Sequence, residues 1–173
     1  MLPPINFQKW IDENRDKLKP PVCNQVVYKD HEFIIMVVGG PNTRKDYHHN
    51  QGEEFFYQIE GDMVLRTMQN GKPKDIPIKE GEIFLLDANV PHSPQRFENT
   101  VGLVIERRRH EGELDGFSWY CDDCHTMLYE EYIPLKSIVD DLPKVFANFW
   151  DNMNNRTCKS CGSVLEKPEQ KAA

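Results

Sequence analysis

Two short stretches concentrate the residue types that bind transition metals. In the first, His48 and His49 precede Glu53 and Glu54; in the second, Val90-Pro91-His92 supplies another imidazole. Two neutral imidazoles and one carboxylate on one face of a metal leave three positions open, the ligand set of non-heme Fe(II) oxygenases. His48, Glu54 and His92 are the candidate catalytic ligands. His48 and Glu54 are six residues apart and share a face if the strand runs straight through, while His49 and Glu53 point the other way; Gly52 is where that parity could break. The bland alternative is a metal-free site whose histidines are satisfied by hydrogen bonds.

A second constellation lies further on. Cys121-x-x-Cys124 and Cys158-x-x-Cys161 are two knuckles separated by a helical pattern. In a reducing compartment such pairs read as metal ligands before disulfides. Four thiolates in a tetrahedron take Zn²⁺ or a single iron. His125 follows Cys124, but four cysteines already complete the set. Scaffolding is the favoured role, since the metal would tie down a segment with little core of its own.

The elements that must position these groups are mostly short strands. Residues 25–28, 33–38, 54–59, 63–67, 83–86 and 102–106 are β-type runs. Turn residues separate them, and Asn70-Gly71 is a hairpin signal because both residues tolerate positive φ. Many short strands at this spacing indicate an all-β barrel or sandwich. Before them, residues 6–19 carry a helical pattern with Asn6 as N-cap and Phe7, Trp10, Ile11 and Leu18 on one stripe, ended by Lys19-Pro20-Pro21. Arg107, Arg108 and Arg109 read as a solvated strand end. The segment after residue 110 holds the cysteines and a helix with Pro143 in its first turn; residues 167–173 are polar and expected to fray. The expected organisation is therefore 1–110 as the catalytic domain with its N-terminal helix and 111–173 as a metal-binding C-terminal segment.

Composition narrows the class. The 173 residues carry a formal net charge of −7, which argues against nucleic acid as the main partner. No apolar run reaches membrane-spanning length, and Met1-Leu2-Pro3-Pro4-Ile5 lacks the pattern of a signal peptide. A cytoplasmic protein with no membrane partner is expected.

The histidine stretch and the run from Gly81 to Pro91-His92 together resemble the two motifs of the cupin barrel, a double-stranded β-helix or jelly roll. The first motif commonly has two histidines separated by one residue; Asn50 stands where the second would be, which favours three ligands. Further stretches resemble the 3-hydroxyanthranilate 3,4-dioxygenase family over nearly the whole chain. They include Lys19-Pro20-Pro21-Val22, Gly39-Gly40-Pro41-Asn42, Glu54-Phe55-Phe56-Tyr57-Gln58, Pro91-His92-Ser93-Pro94-Gln95-Arg96 and Trp119-Tyr120-Cys121.

The resemblance implies an extradiol-type enzyme that opens the ring of 3-hydroxyanthranilate with O₂. The product, 2-amino-3-carboxymuconate semialdehyde, leads to quinolinate and NAD in the kynurenine route of tryptophan breakdown. It implies Fe(II) at the catalytic site, a rubredoxin-like four-cysteine site holding a second Fe (or Zn), and a homodimer. Arg44, Arg96 and Glu106, with Glu54, become substrate-pocket residues. The residue types agree. The substrate's phenol and amine can chelate iron, leaving one position for O₂, and its carboxylate suits a bidentate guanidinium. Arg96 lies four residues after His92, and Arg44 four before His48. Asp46 is a weaker candidate for the oxygen side of the pocket, and Cys23 is either core or pocket-adjacent. Rival readings are another cupin enzyme, such as a thiol or flavonol dioxygenase or a sugar-phosphate isomerase, or a non-enzymatic scaffold with a zinc ribbon.

Overall fold

The computed structural model describes residues 2–20, 23–136 and 138–168. Pro21 and Val22 of the helix-ending stretch, and residues 169–173 of the expected frayed end, lie outside the described residues. The order is α1 (Phe7–Asn14), β1 (Asn24–Val26), β2 (Phe33–Gly39), β3 (Tyr47–His49), β4 (Glu54–Glu60), β5 (Met63–Gln69) and β6 (Lys72–Ile78). It continues through β7 (Ile83–Leu86), β8 (His92–Arg96), β9 (Val101–Arg107), β10 (Asp115–Tyr120), β11 (Met127–Ile133), α2 (Ile138–Trp150) and α3 (Met153–Arg156).

The strands form two antiparallel sheets, β1-β2-β9-β4-β7 and β11-β10-β3-β8-β5-β6. Alternate residues of both point inward, and Phe56 and Val104 of the first sheet pack with Met63, Leu65 and Ile78 of the second as the barrel core. The all-β cupin architecture expected from the sequence is thus present, with the four-cysteine cluster near the C-terminal end.

Local chemistry explains the joints. Asn6 caps α1 by accepting from the Lys9 N–H at 2.9 Å. The helix and the 3₁₀ turn that follows it seat Ile11 and Leu18 against Val37 and Val101. Asn70 and Gly71 both take positive φ at the β5–β6 hairpin. A Cβ on Gly39 would sit 2.0 Å from the Leu18 carbonyl oxygen, and one on Gly40 2.1 Å from that of Phe97, so neither position admits a side chain.

Beyond residue 110 the second sheet continues. β10 lies between β11 and β3, pairing Phe117 with His48. This segment also has more apolar core than expected: Trp119 stacks on Phe149 of α2 at 4.4 Å, and Phe117, Val145 and Leu165 are buried with them. The helix begins at Ile138, so Pro143 stands inside it rather than in its first turn.

Candidate metal centre and substrate site

The ligand atoms of His48, Glu54 and His92 lie within 4.8 Å of one another. The proximity does not arise from a single continuous strand. β3 belongs to the second sheet and β4 to the first, and residues 50–53 carry the chain across. His48 pairs in register with His92 of β8, and Glu54 faces both from the opposite sheet. Its Oε1 is 3.5 Å from His48 Nδ1 and 3.3 Å from His92 Nε2.

Each histidine is oriented from behind. His92 Nδ1 lies 2.9 Å from the Val90 carbonyl oxygen, which accepts its N–H and leaves Nε2 to face the site. His48 is reversed: Nε2 lies 2.7 Å from Asp115 Oδ1, leaving Nδ1 for the site. Such partners fix tautomer and ring tilt and raise ligand basicity. Phe117 stacks on the His48 ring with centroids 5.3 Å apart. Burial opposes a proton on His48, but Asp115 and Glu54 outweigh it and hold its pKa at about 9, so a metal would displace a proton here. Burial likewise opposes charge on Glu54, and the two histidines overcome it to hold its carboxyl well below the usual range. Two lone pairs and one carboxylate oxygen converging in this way fit a divalent metal.

Asn50, in the place of a second motif histidine, has a different task. Its Nδ2 donates to Glu54 Oε1 at 3.1 Å and to Glu106 Oε2 at 2.6 Å, while its Oδ1 accepts from the Gly52 N–H. Glu106 is buried beside the triad, and that burial, with the Glu54 charge, pushes its carboxyl pKa up.

Arg96 shares the inner face of β8 with His92. It is 3% exposed, and its guanidinium donates to Gln58 Oε1 at 3.4 Å. Among the described residues no carboxylate forms an ion pair with it. Burial and the neighbouring Arg44 charge pull its pKa down to about 10. Gly102 makes room for it, since a Cβ there would lie 2.6 Å from Arg96 Nη1 and 2.7 Å from Gln58 Oε1. Asn42 pins the same strand end, donating to the Pro94 carbonyl and accepting from the Arg96 N–H. Gln58 and Gly102 were not singled out in the sequence, because their roles depend on cross-strand pairing.

Arg44 is more engaged than expected. Its guanidinium pairs with the buried Asp46 carboxylate, which is therefore a partner of Arg44. Cys23 is half-buried, its Sγ 3.6 Å from the Pro41 carbonyl oxygen and close enough to Arg96 to feel its charge. A correction concerns Arg109, which is not a solvated strand end. Its side chain is 16% exposed and binds both Asp115 and Glu106. Arg107 pairs with Glu113, and only Arg108 of the three is more than half exposed.

A cavity of about 460 Å³ reaches Glu106 and Arg109 between Val26, Tyr28, Met36 and Leu135. Another of about 300 Å³ reaches Arg44 beside Tyr47, Arg66 and Tyr120. Neither is lined by the triad, so the centre is defined by ligand convergence. The four cysteines also converge: Cys121 Sγ is 3.5 Å from Cys161 Sγ, and Cys124 Sγ is 3.5 Å from Cys158 Sγ. In each knuckle a backbone N–H, of His125 or Gly162, turns back to the carbonyl of the first cysteine, with positive φ at that residue. Four sulfurs so close, with no disulfide, suit a tetrahedral metal.

The pattern that defines the family described as 3-hydroxyanthranilic acid dioxygenase matches residues 1–150. A relative named 3-hydroxyanthranilate 3,4-dioxygenase from Xanthomonas euvesicatoria pv. vesicatoria (strain 85-10) is 52% identical over 172 residues, 99% of this chain and 97% of its own. One of the same name from Jannaschia sp. (strain CCS1) is 52% identical over 169 residues, 95% and 94% of the two chains. Among solved structures, protein NMB1881 from Neisseria meningitidis is 19% identical with a TM-score of 0.49, over 61% of this chain and 100% of that one.

Proposed function

This chain belongs to the 3-hydroxyanthranilic acid dioxygenase family, and on that premise we propose that His48, Glu54 and His92 hold a catalytic Fe(II) while Arg96, Arg44 and Glu106 bind the substrate. The enzyme opens the ring of 3-hydroxyanthranilate with O₂ to give 2-amino-3-carboxymuconate semialdehyde, on the way to quinolinate and NAD. The observation that carries the site assignment is Arg96, a buried guanidinium with no acidic partner among the described residues, on the same strand face as a candidate metal ligand. A charge so placed is costly until an anion arrives, and a planar carboxylate matches its fork.

When bound, the metal supplies a chelation point for the substrate's phenol and amine and a route for electron density between ring and O₂. The chain's residues do the rest. Arg96 draws the carboxylate to the inner end of β8, and Arg44, tethered to Asp46, presents a second cation beside it. Glu106, with its carboxyl pKa raised, is suited to take and return the phenol proton. Glu54 lies between the ligand histidines and Asn50, whose amide holds its carboxylate in place.

The reading extends to the rest of the molecule. The catalytic unit is 1–110 completed by β10, with the second Fe (or Zn) held by Cys121, Cys124, Cys158 and Cys161 in 111–173. A homodimer buries the outer face of the first sheet, where Ile83 and Leu85 are 66% and 54% exposed, aligned with Tyr57 and Phe55. A cytoplasmic setting is in keeping with the unpaired thiols.

The test is anaerobic loading with Fe(II), then addition of 3-hydroxyanthranilate and air. One O₂ consumed per substrate, with a ring-opened product decaying to quinolinate, supports the assignment. No uptake by folded, iron-loaded protein overturns the iron assignment.

A further inference from the structure

Two charged residues beyond the site proposed above, one buried and one half-buried, face it directly. Asp115 is 1% exposed at the start of β10, and Arg109 lies in the connection from β9. Together with four site residues they close a circuit. His48 Nε2 lies 2.7 Å from Asp115 Oδ1. Arg109 Nε donates to Asp115 Oδ2 at 3.0 Å, and its Nη1 reaches Glu106 Oε1 at 3.1 Å. Asn50 joins Glu106 to Glu54, and Glu54 Oε1 returns to His48 Nδ1 at 3.5 Å.

We propose that Asp115 and Arg109 are positioning residues for the reaction, which set the metal-binding tautomer of His48 and the location of Glu106 through this closed circuit. The inference rests on the reading that His48, Glu54 and His92 hold the metal. Its chemistry is specific. A carboxylate behind an imidazole fixes the proton on Nε2 and leaves Nδ1 to the metal. Arg109 separates two buried carboxylates with different nitrogens of one rigid fork, a geometry a lysine ammonium does not reproduce. Without Arg109, Asp115 and Glu106 would be buried acids lacking their cation, and the repulsion between Glu106 and Glu54 would go unopposed by it. The circuit therefore links a metal ligand on one sheet to a substrate residue on the other, so both are set by residues that touch neither metal nor substrate.

The experiment titrates metal-free protein with Co(II). The triad is followed by its d–d absorption. The tetrathiolate is followed by its stronger sulfur-to-metal band, an internal control that the tail is folded. Asp115→Asn preserves shape and is expected to weaken Co(II) at the triad about 10- to 100-fold, with the tetrathiolate band unchanged. Arg109→Lys at saturating metal is expected to raise KM for 3-hydroxyanthranilate about tenfold or more, while Asp115→Asn at saturating metal leaves KM within about threefold. A purely structural role would lower the melting temperature and leave both constants alone. Should both variants fold, bind Co(II) as the wild type does and keep its KM, the proposal is overturned. If the wild type shows no triad signal that His48→Ala abolishes, the metal reading itself fails and takes this inference with it.

Discussion

Replacing Arg96 by methionine separates binding from stability in opposite directions. The guanidinium is 3% exposed, and its pKa falls from 12.5 to about 10. At about 1.4 kcal/mol per pH unit, this environment costs the charged side chain about 3 kcal/mol at neutral pH. The sign follows from a cation whose folded pKa is depressed: the penalty is present throughout the range below about 10, where the group is protonated in both states. Methionine removes the charge while filling similar space, and forfeits the contact with Gln58 at 3.4 Å, worth about 1 kcal/mol. The net gain of about 2 kcal/mol corresponds to a melting temperature higher by about 4–8 °C for a chain of this size. Substrate binding moves the other way. Loss of the carboxylate's partner is expected to cost about 2–5 kcal/mol, raising KM at least about 30-fold. The assay is a thermal melt of the metal-loaded protein beside steady-state kinetics at saturating Fe(II). A KM within threefold of wild type would refute the carboxylate assignment, and a lower melting temperature would refute the claim that the charge is uncompensated. Gly102→Ala offers a milder version, since its Cβ would displace Arg96 Nη1 and Gln58 Oε1 together; KM should rise while iron content stays constant.

The other expectations can be checked directly. His48→Ala, Glu54→Ala and His92→Ala should abolish O₂ uptake and retain a cooperative melt, so full activity in any one would remove it from the ligand set. Cys121→Ser should lose the second metal and melt earlier while still binding iron at the triad, because β10 is also held by its register with β3 and β11; metal analysis should show one site emptied, not two. Glu113 is held at about 2 by the Arg107 side chain and then the His110 N–H, so its stabilising effect is present above about pH 4.5 and lost as the pH falls toward 2. Melts between pH 5 and 2.5 should show that decline, and Glu113→Gln should flatten it. Leu85→Lys tests the proposed homodimer, with sedimentation expected to show a monomer and metal content at the triad expected to be unchanged.

Much of the fold was legible because short strands with turn punctuation announce themselves locally. Residues 83–86 coincide with β7, and Asn70-Gly71 turns the β5–β6 hairpin. β8 has no apolar alternation to announce it, because His92-Ser93-Pro94-Gln95-Arg96 has polar residues on its inner face; the four-residue spacing of His92 and Arg96 places them on one face only because pairing with β5 makes this stretch a strand. The same applies to β6, whose Lys, Pro and Asp residues suit an edge. At the site, the ligand types were visible, but the parity rule brought His48 and Glu54 together on the assumption of one strand, whereas they converge from facing sheets. Arg109 was misjudged because its two partners are chosen by the fold: Glu106 sits one turn of chain before it and Asp115 across a loop, and neither spacing signals burial.

The place of β10 has a consequence for the order in which the enzyme is made. A chain leaving the ribosome as far as Arg107 already holds all three candidate ligands and the whole first sheet. Yet β3 is then joined to the second sheet by the single His48–His92 pairing. Its neighbour on the other side, with the carboxylate behind His48, arrives only with residues 115–120. At about 5–20 residues per second the wait is brief, but until then His48 has no fixed tautomer and its strand edge is bare. The candidate metal site is thereby completed only in a nearly finished polypeptide, when Asp115 reaches His48 and β10 covers the edge of β3.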